Sequence, residues 1–209
     1  MELKTNKKFD GIVTFGIDCD GVLRDLLLSM VSLYNEKFND NMSLDDVKDF
    51  NVDVSFPRIS ELTGVTASKW FFQDNGYELF AKSPSFPKTK KAIETLQKYG
   101  QVIIVTYQKS YENRLDTLKW LNRNGIVPDG ICFIKNKTLL RLSWFIDDNY
   151  WNFFGCNAEH GVLIDAPHNR DIDETELLKA SNCQEIARYD SLYDFAKDYD
   201  KKQQVEQTI

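Results

Sequence analysis

Four cysteines are scattered through 209 residues, at Cys19, Cys132, Cys156 and Cys183, with no paired metal spacing and no disulfide framework. Free thiols in a reducing compartment are the expected state. No apolar run approaches the length of a membrane span, and the polar, lysine-rich opening segment lacks the apolar core of a secretion signal. A cytoplasmic protein is therefore expected. Cationic excess is missing as well: 26 Lys and Arg stand against 32 Asp and Glu, a formal net charge of −6. Binding a phosphate backbone requires a basic surface, so long nucleic acid and anionic membranes are excluded as partners. A small phosphorylated ligand, held by a few local cations, is not. No internal repeat is visible. The length suits one domain, or one domain carrying an insertion, with the homodimer left open.

What is present is an alternation of strands and helices with one interruption. Residues 12–17 form an apolar run long enough for a strand and too short for an ordinary helix. A helix is predicted over 26–38, with Leu27, Met30, Val31, Tyr34 and Phe38 at helical spacing. Residues 40–85 are polar and turn-rich, with the aromatics Trp70, Phe71, Phe72, Tyr77 and Phe80 and no convincing strand. Alternation then resumes: a helix from about Pro87 closed by Gly100, a strand at 102–105 and a helix over 111–124 closed by Gly125. Short strands follow at 131–134, 144–146 and 162–164, then a final amphipathic helix over 191–200. The pattern predicts an α/β fold, a mostly parallel sheet with helices on both faces and a small helical cap inserted after the first strand. The core then comprises residues 10–25 and 86–200, the cap 26–85, and a polar tail 201–209.

The placement of polar residues is the strongest functional signal. Ligands of open parallel sheets bind beyond the carboxyl ends of the strands. Here the first run ends in Asp18, with Asp20 on the same side about 7 Å on and Gly21 free to turn the chain. The second run ends in Thr106, and the run through Ile146 ends in Asp147 and Asp148. Lys137 lies just past Ile134. Acids, a hydroxyl and an ammonium thus converge on one rim, as a site for a hard divalent cation and an attacking carboxylate requires. Strand alternation turns Cys19 away from that rim.

The set Asp18-Cys-Asp20-Gly-Val-Leu, Thr106, Lys137 and Ile146-Asp147-Asp148 resembles the four motifs of the haloacid dehalogenase-like (HAD) phosphatases. The closest flavour is the 5'(3')-deoxyribonucleotidase branch: Lys137-Thr138 leads into the acidic pair, and His168-Asn169-Arg170 follows the next strand. The resemblance covers about residues 10–25 and 86–195 and is weak across the cap. It implies a Rossmann-like, HAD-type fold and a Mg²⁺-dependent phosphomonoesterase acting on (deoxy)nucleoside monophosphates. Asp18 would be the nucleophile, Asp20 the proton shuttle, and Thr106 and Lys137 the phosphate ligands. Mg²⁺ would be held by Asp18, the Asp20 backbone carbonyl, and one or both of Asp147 and Asp148. Arg24, Tyr107 and His168 are candidate substrate contacts.

One departure stands out. The branch usually follows the phosphate-binding Thr with Ser, whereas Tyr107 and Gln108 follow Thr106 here. Lys135 rivals Lys137, which better matches the family's distance from the acidic pair. The Trp70-Phe71-Phe72 cluster suits the interior of a cap better than a base-stacking surface. The same chemistry on a sugar phosphate is the enzymatic alternative. A non-catalytic phospho-aspartyl or nucleotide-binding module is the other, which Asp20 disfavours because a stable phospho-signal needs no group to activate water.

Overall fold

The computed structural model describes residues 11–206. Strand β1 (Val13–Ile17) leads into helix α1 (Leu26–Phe38), started by the Asp25 carboxylate accepting from the Leu28 amide and ended by Asn39 in the left-handed conformation. Short helices follow: α2 (Val52–Ser55), α3 (Pro57–Thr63), α4 (Ala67–Lys69) and α5 (Gly76–Lys82). Then come α6 (Thr89–Leu96), β2 (Gly100–Thr106), α7 (Tyr111–Arg123), β3 (Gly130–Phe133), β4 (Arg141–Asp147), β5 (Asn157–Ile164), α8 (Glu174–Ala180), β6 (Glu185–Tyr189) and α9 (Leu192–Glu206).

The six strands form one sheet in the order β3-β2-β1-β4-β5-β6, and every neighbouring pair is parallel. Alternate residues of the central strands feed two interiors. Phe15, Ile17, Ile104 and Ile146 pack with α6, α7 and α9, whereas Leu142, Phe145 and Leu163 pack with Phe153 and α8 on the other face. Helices α1–α5 hold a third interior of their own, around Met30, Tyr34, Phe56, Ile59 and Phe71. Both connections to the sheet run side by side: the Asp25 amide donates to the Pro84 carbonyl, and the Phe86 amide to the Leu23 carbonyl. Among the described residues no helix is long and apolar enough to cross a membrane.

Several boundaries differ from expectation. Gly100 does not close α6; it opens β2, where a Cβ would stand 2.2 Å from the Val13 carbonyl oxygen. The final helix does not stop near Asp200. Residues 201–206 are mostly strong helix formers and continue it to Glu206; residues 207–209, like residue 10, lie outside the described residues. Strand β6 and helix α8 were not foreseen. All four cysteines are free thiols, as expected.

Candidate active site

The reversal in strand order between β1 and β4 opens a crevice at their carboxyl ends, where doubly wound sheets bind ligands. Register sets what meets there. Ile17 pairs with Ile146, and the Asp18 amide donates to the Ile146 carbonyl, so Asp18 and Asp147 leave adjacent strands at the same height. Asp18, Asp147 and Asp148 are buried, and each offers an oxygen within 4.8 Å of the others. Lys137, from the short helical turn after β3, reaches in from the side. Its ammonium lies 2.9 Å from Asp18 Oδ2 and 2.7 Å from Asp147 Oδ2. Lys135 is exposed, so Lys137 is the lysine brought to the acids.

Three acids around one ammonium leave excess negative charge, and the protonation equilibria follow. Burial, opposed by Lys137 and reinforced by Asp147 and Asp148, holds the Asp18 carboxyl well above the ordinary carboxylate range. Burial lifts Asp147 in the same sense, with Lys137 opposing and Asp148 adding. Burial alone would discharge Lys137, but Asp147 and Asp18 overcome it and raise its pKa. This cluster of hard oxygen donors fits a divalent cation such as Mg²⁺. A further feature supports the fit: Gly21 has φ +82°, and a Cβ there would lie 2.1 Å from Asp148 Oδ2. Gly21→Ala is therefore expected to cost about 1–3 kcal/mol from the left-handed backbone and to displace Asp148. Urea titration and activity should both fall; a variant equal to wild type in both would remove Gly21 from the site.

Neighbouring amides lock the acids in place. Asp147 accepts from the Asn149 amide at 2.8 Å and Asn152 Nδ2 at 2.9 Å. Buried Asn169 donates to the Asp148 carbonyl at 2.7 Å and the Ile164 carbonyl at 2.8 Å, tying the loop after β5 to the loop after β4. Asn152 and Asn169 escaped the sequence reading, although the segment holding Asn169 did not. His168 faces the cavity with Nε2 3.3 Å from Asp148 Oδ2. Burial opposes its charge, but the adjacent Asp148 carboxylate prevails and raises its pKa.

Thr106, at the end of β2, and Tyr107 both line the cavity, Thr106 buried and Tyr107 half exposed. Asp20 lines it too, outside the group of three acids, with its carboxylate accepting from Arg24 and Gln108. Arg24, expected to touch substrate, lies beneath the cavity with no exposed surface. Its guanidinium sits between the Phe80 and Trp120 rings, 5.1 and 5.2 Å from their centroids. It donates to Asp20, the Phe80 carbonyl and Thr117 Oγ1. A buried cation demands such partners, and they leave none of it for a ligand. Cys19 packs in the interior, where burial raises its thiol pKa.

The cavity holds about 1100 Å³ between the sheet edge and the helical segment, whose Phe50, Asn51, Phe72 and Gln73 line it. Phe71 of the aromatic cluster is interior, while Phe72 reaches the wall.

Residues 11–192 match the family model described as 5' nucleotidase, deoxy (pyrimidine), cytosolic type C protein. A 5'(3')-deoxyribonucleotidase of Clostridium acetobutylicum is 29% identical over 189 residues, covering 87% of this chain and 97% of that one. An L-2-haloacid dehalogenase from Xanthobacter autotrophicus superposes with a TM-score of 0.56 at 10% identity, over 89% of this chain and 97% of its own. A haloacid dehalogenase-like hydrolase from Streptococcus pneumoniae gives 0.54 at 17% identity, over 90% and 98%. At such identities the two structures show a shared fold and nothing of the reaction.

Proposed function

The chain belongs to the 5' nucleotidase, deoxy (pyrimidine), cytosolic type C family within the HAD-like fold, and from that premise we propose that it is a Mg²⁺-dependent phosphatase of (deoxy)nucleoside monophosphates. The observation that carries this reading is the buried triad Asp18, Asp147 and Asp148 closed around Lys137, with Asp20 beside it in one large cavity. Asp18 attacks phosphorus to form an aspartyl-phosphate. The Thr106 hydroxyl donates to a phosphoryl oxygen, and Lys137 offsets the charge that gathers there. Asp20 protonates the leaving alkoxide and then takes a proton from the water that hydrolyses the intermediate. Asp18, Asp147, Asp148 and the Asp20 carbonyl would hold Mg²⁺, which when bound neutralises charge between anionic nucleophile and anionic phosphate.

Helices α1–α5 act as a cap with its own interior, and the wall of Phe50, Asn51, Phe72 and Gln73 is where a base would be read. The free thiols agree with a reducing cytoplasm. A substrate panel tests the reading. Purified protein should release phosphate fastest from deoxynucleotides, stop in EDTA and recover with MgCl₂. Faster turnover of sugar phosphates would move the substrate class and keep the chemistry; full activity in EDTA would remove the metal.

A further inference from the structure

Tyr107 and Gln108 follow Thr106 where the family's pattern has Ser next, and the structure buries Gln108 to 2% exposure at the cavity wall. Its amide nitrogen lies 3.2 Å from Asp20 Oδ2 and 3.3 Å from Thr106 Oγ1, while its Oε1 is buried with no partner among the described residues. That arrangement sacrifices an acceptor to aim both amide hydrogens at two oxygens. Buried polar atoms are rarely left so without a reason.

The other side of Asp20 explains what is gained. Arg24 places Nε at 2.7 Å and a terminal nitrogen at 2.6 Å, both on Asp20 Oδ1. The Nε–H donates to Oδ1 and the guanidinium charge is paired there, so Oδ2 is the oxygen left to carry a transferable proton. Gln108 fills one lone pair of Oδ2 and leaves the other. Its second contact, with Thr106 Oγ1 at 3.3 Å, anchors the amide at the end of the strand.

We propose that Gln108 is a positioning residue that holds Asp20 Oδ2 on the leaving-group oxygen. This rests on the phosphatase reading above. In the step concerned, an Asp18 oxygen bonds to phosphorus as the bond from phosphorus to the leaving oxygen breaks. That oxygen keeps the bonding pair and takes the proton from Asp20 Oδ2.

The test exploits the leaving group. A nucleoside alkoxide must be protonated as it departs, whereas p-nitrophenolate leaves without a proton. Gln108→Met has nearly the same volume and no amide. With it, single-turnover release of nucleoside from a deoxynucleotide should fall by about 10- to 100-fold. The single-turnover burst of p-nitrophenolate should stay within about threefold, because that release needs no proton and precedes the water-attack step that Asp20 serves for both substrates. Gln108→Asn cannot span both oxygens and should show the same selective loss, which serves if the Met variant fails to fold. Unchanged single-turnover release from both substrates overturns the inference. So does an equal fall on both, which would mean that Gln108 does not act through protonation of the leaving group. Wild-type protein that releases phosphate from neither substrate would instead overturn the phosphatase reading itself.

Discussion

Asp18→Asn is expected to lower phosphate release by about 10⁴-fold or more while leaving the fold at least as stable as wild type. The first half follows from the nucleophile's role: the amide has the same shape but cannot form the aspartyl-phosphate, and removing a covalent nucleophile costs on that order. The second half follows from the crowding of charge. Asp18 sits buried with Asp147 and Asp148 against a single ammonium, and its carboxyl pKa is raised by burial. Neutralising it removes a repelling charge and still leaves Lys137 its contact with Asp147 at 2.7 Å. Acid-quenched protein should carry covalent phosphate in the wild type and none in the variant. Thermal melting in EDTA should show an unchanged or higher midpoint. Activity within tenfold of wild type would take the nucleophile's role from Asp18.

That site was legible because its acids stand at the ends of strands buried on both faces. Such strands read as plain apolar runs, so the residues that end β1, β2 and β4 mark the rim directly. Strand β6 offers no such run. It is an edge strand of Glu185, Ile186, Ala187, Arg188 and Tyr189, none fully buried, and its sequence looks like a loop. Arg24 failed for a different reason. Its burial depends on the rings of Phe80 and Trp120 and on Thr117, all distant in sequence, and no local pattern announces a guanidinium enclosed that way. Neutral amides are harder still. Asn152, Asn169 and Gln108 carry no charge and no periodicity, and only contact with Asp147, Asp148 and Asp20 gives them a role.

The same contrast marks the large cavity. Its floor comes from strand ends, which a spacing argument can find. Its roof comes from short helices packed around Phe56 and Phe71, where the resemblance to known families was weakest. Residues 23–25 and 84–86 fasten roof to floor by backbone bonds, which depend on no particular side chain and leave no signature.

Lys137→Met should separate what the ammonium does for folding from what it does for the reaction. Methionine fills most of the space but supplies no charge, so Asp18, Asp147 and Asp148 would share a buried site without the ammonium that pairs with two of them. Breaking a buried ion pair from one side costs about 3–5 kcal/mol, and metal-free variant should unfold earlier by that order. Burial and like charge raise the Asp18 and Asp147 pKa values above the ordinary 3.8. The folded state therefore binds these protons more tightly than the unfolded chain does. Metal-free stability should accordingly rise as pH falls from neutral toward 3.8, and more so in the variant, where Lys137 no longer opposes protonation. MgCl₂ should restore much of the lost stability, since a divalent cation counters the same charge. It should not restore turnover. With the metal saturating, kcat should remain about 10²- to 10³-fold down, the usual loss on deleting one fixed charge that stabilises a transferring group. Melts in EDTA and in MgCl₂, set beside kcat, resolve the two roles. Unaltered stability in EDTA together with kcat within about threefold of wild type would mean that Lys137 serves neither.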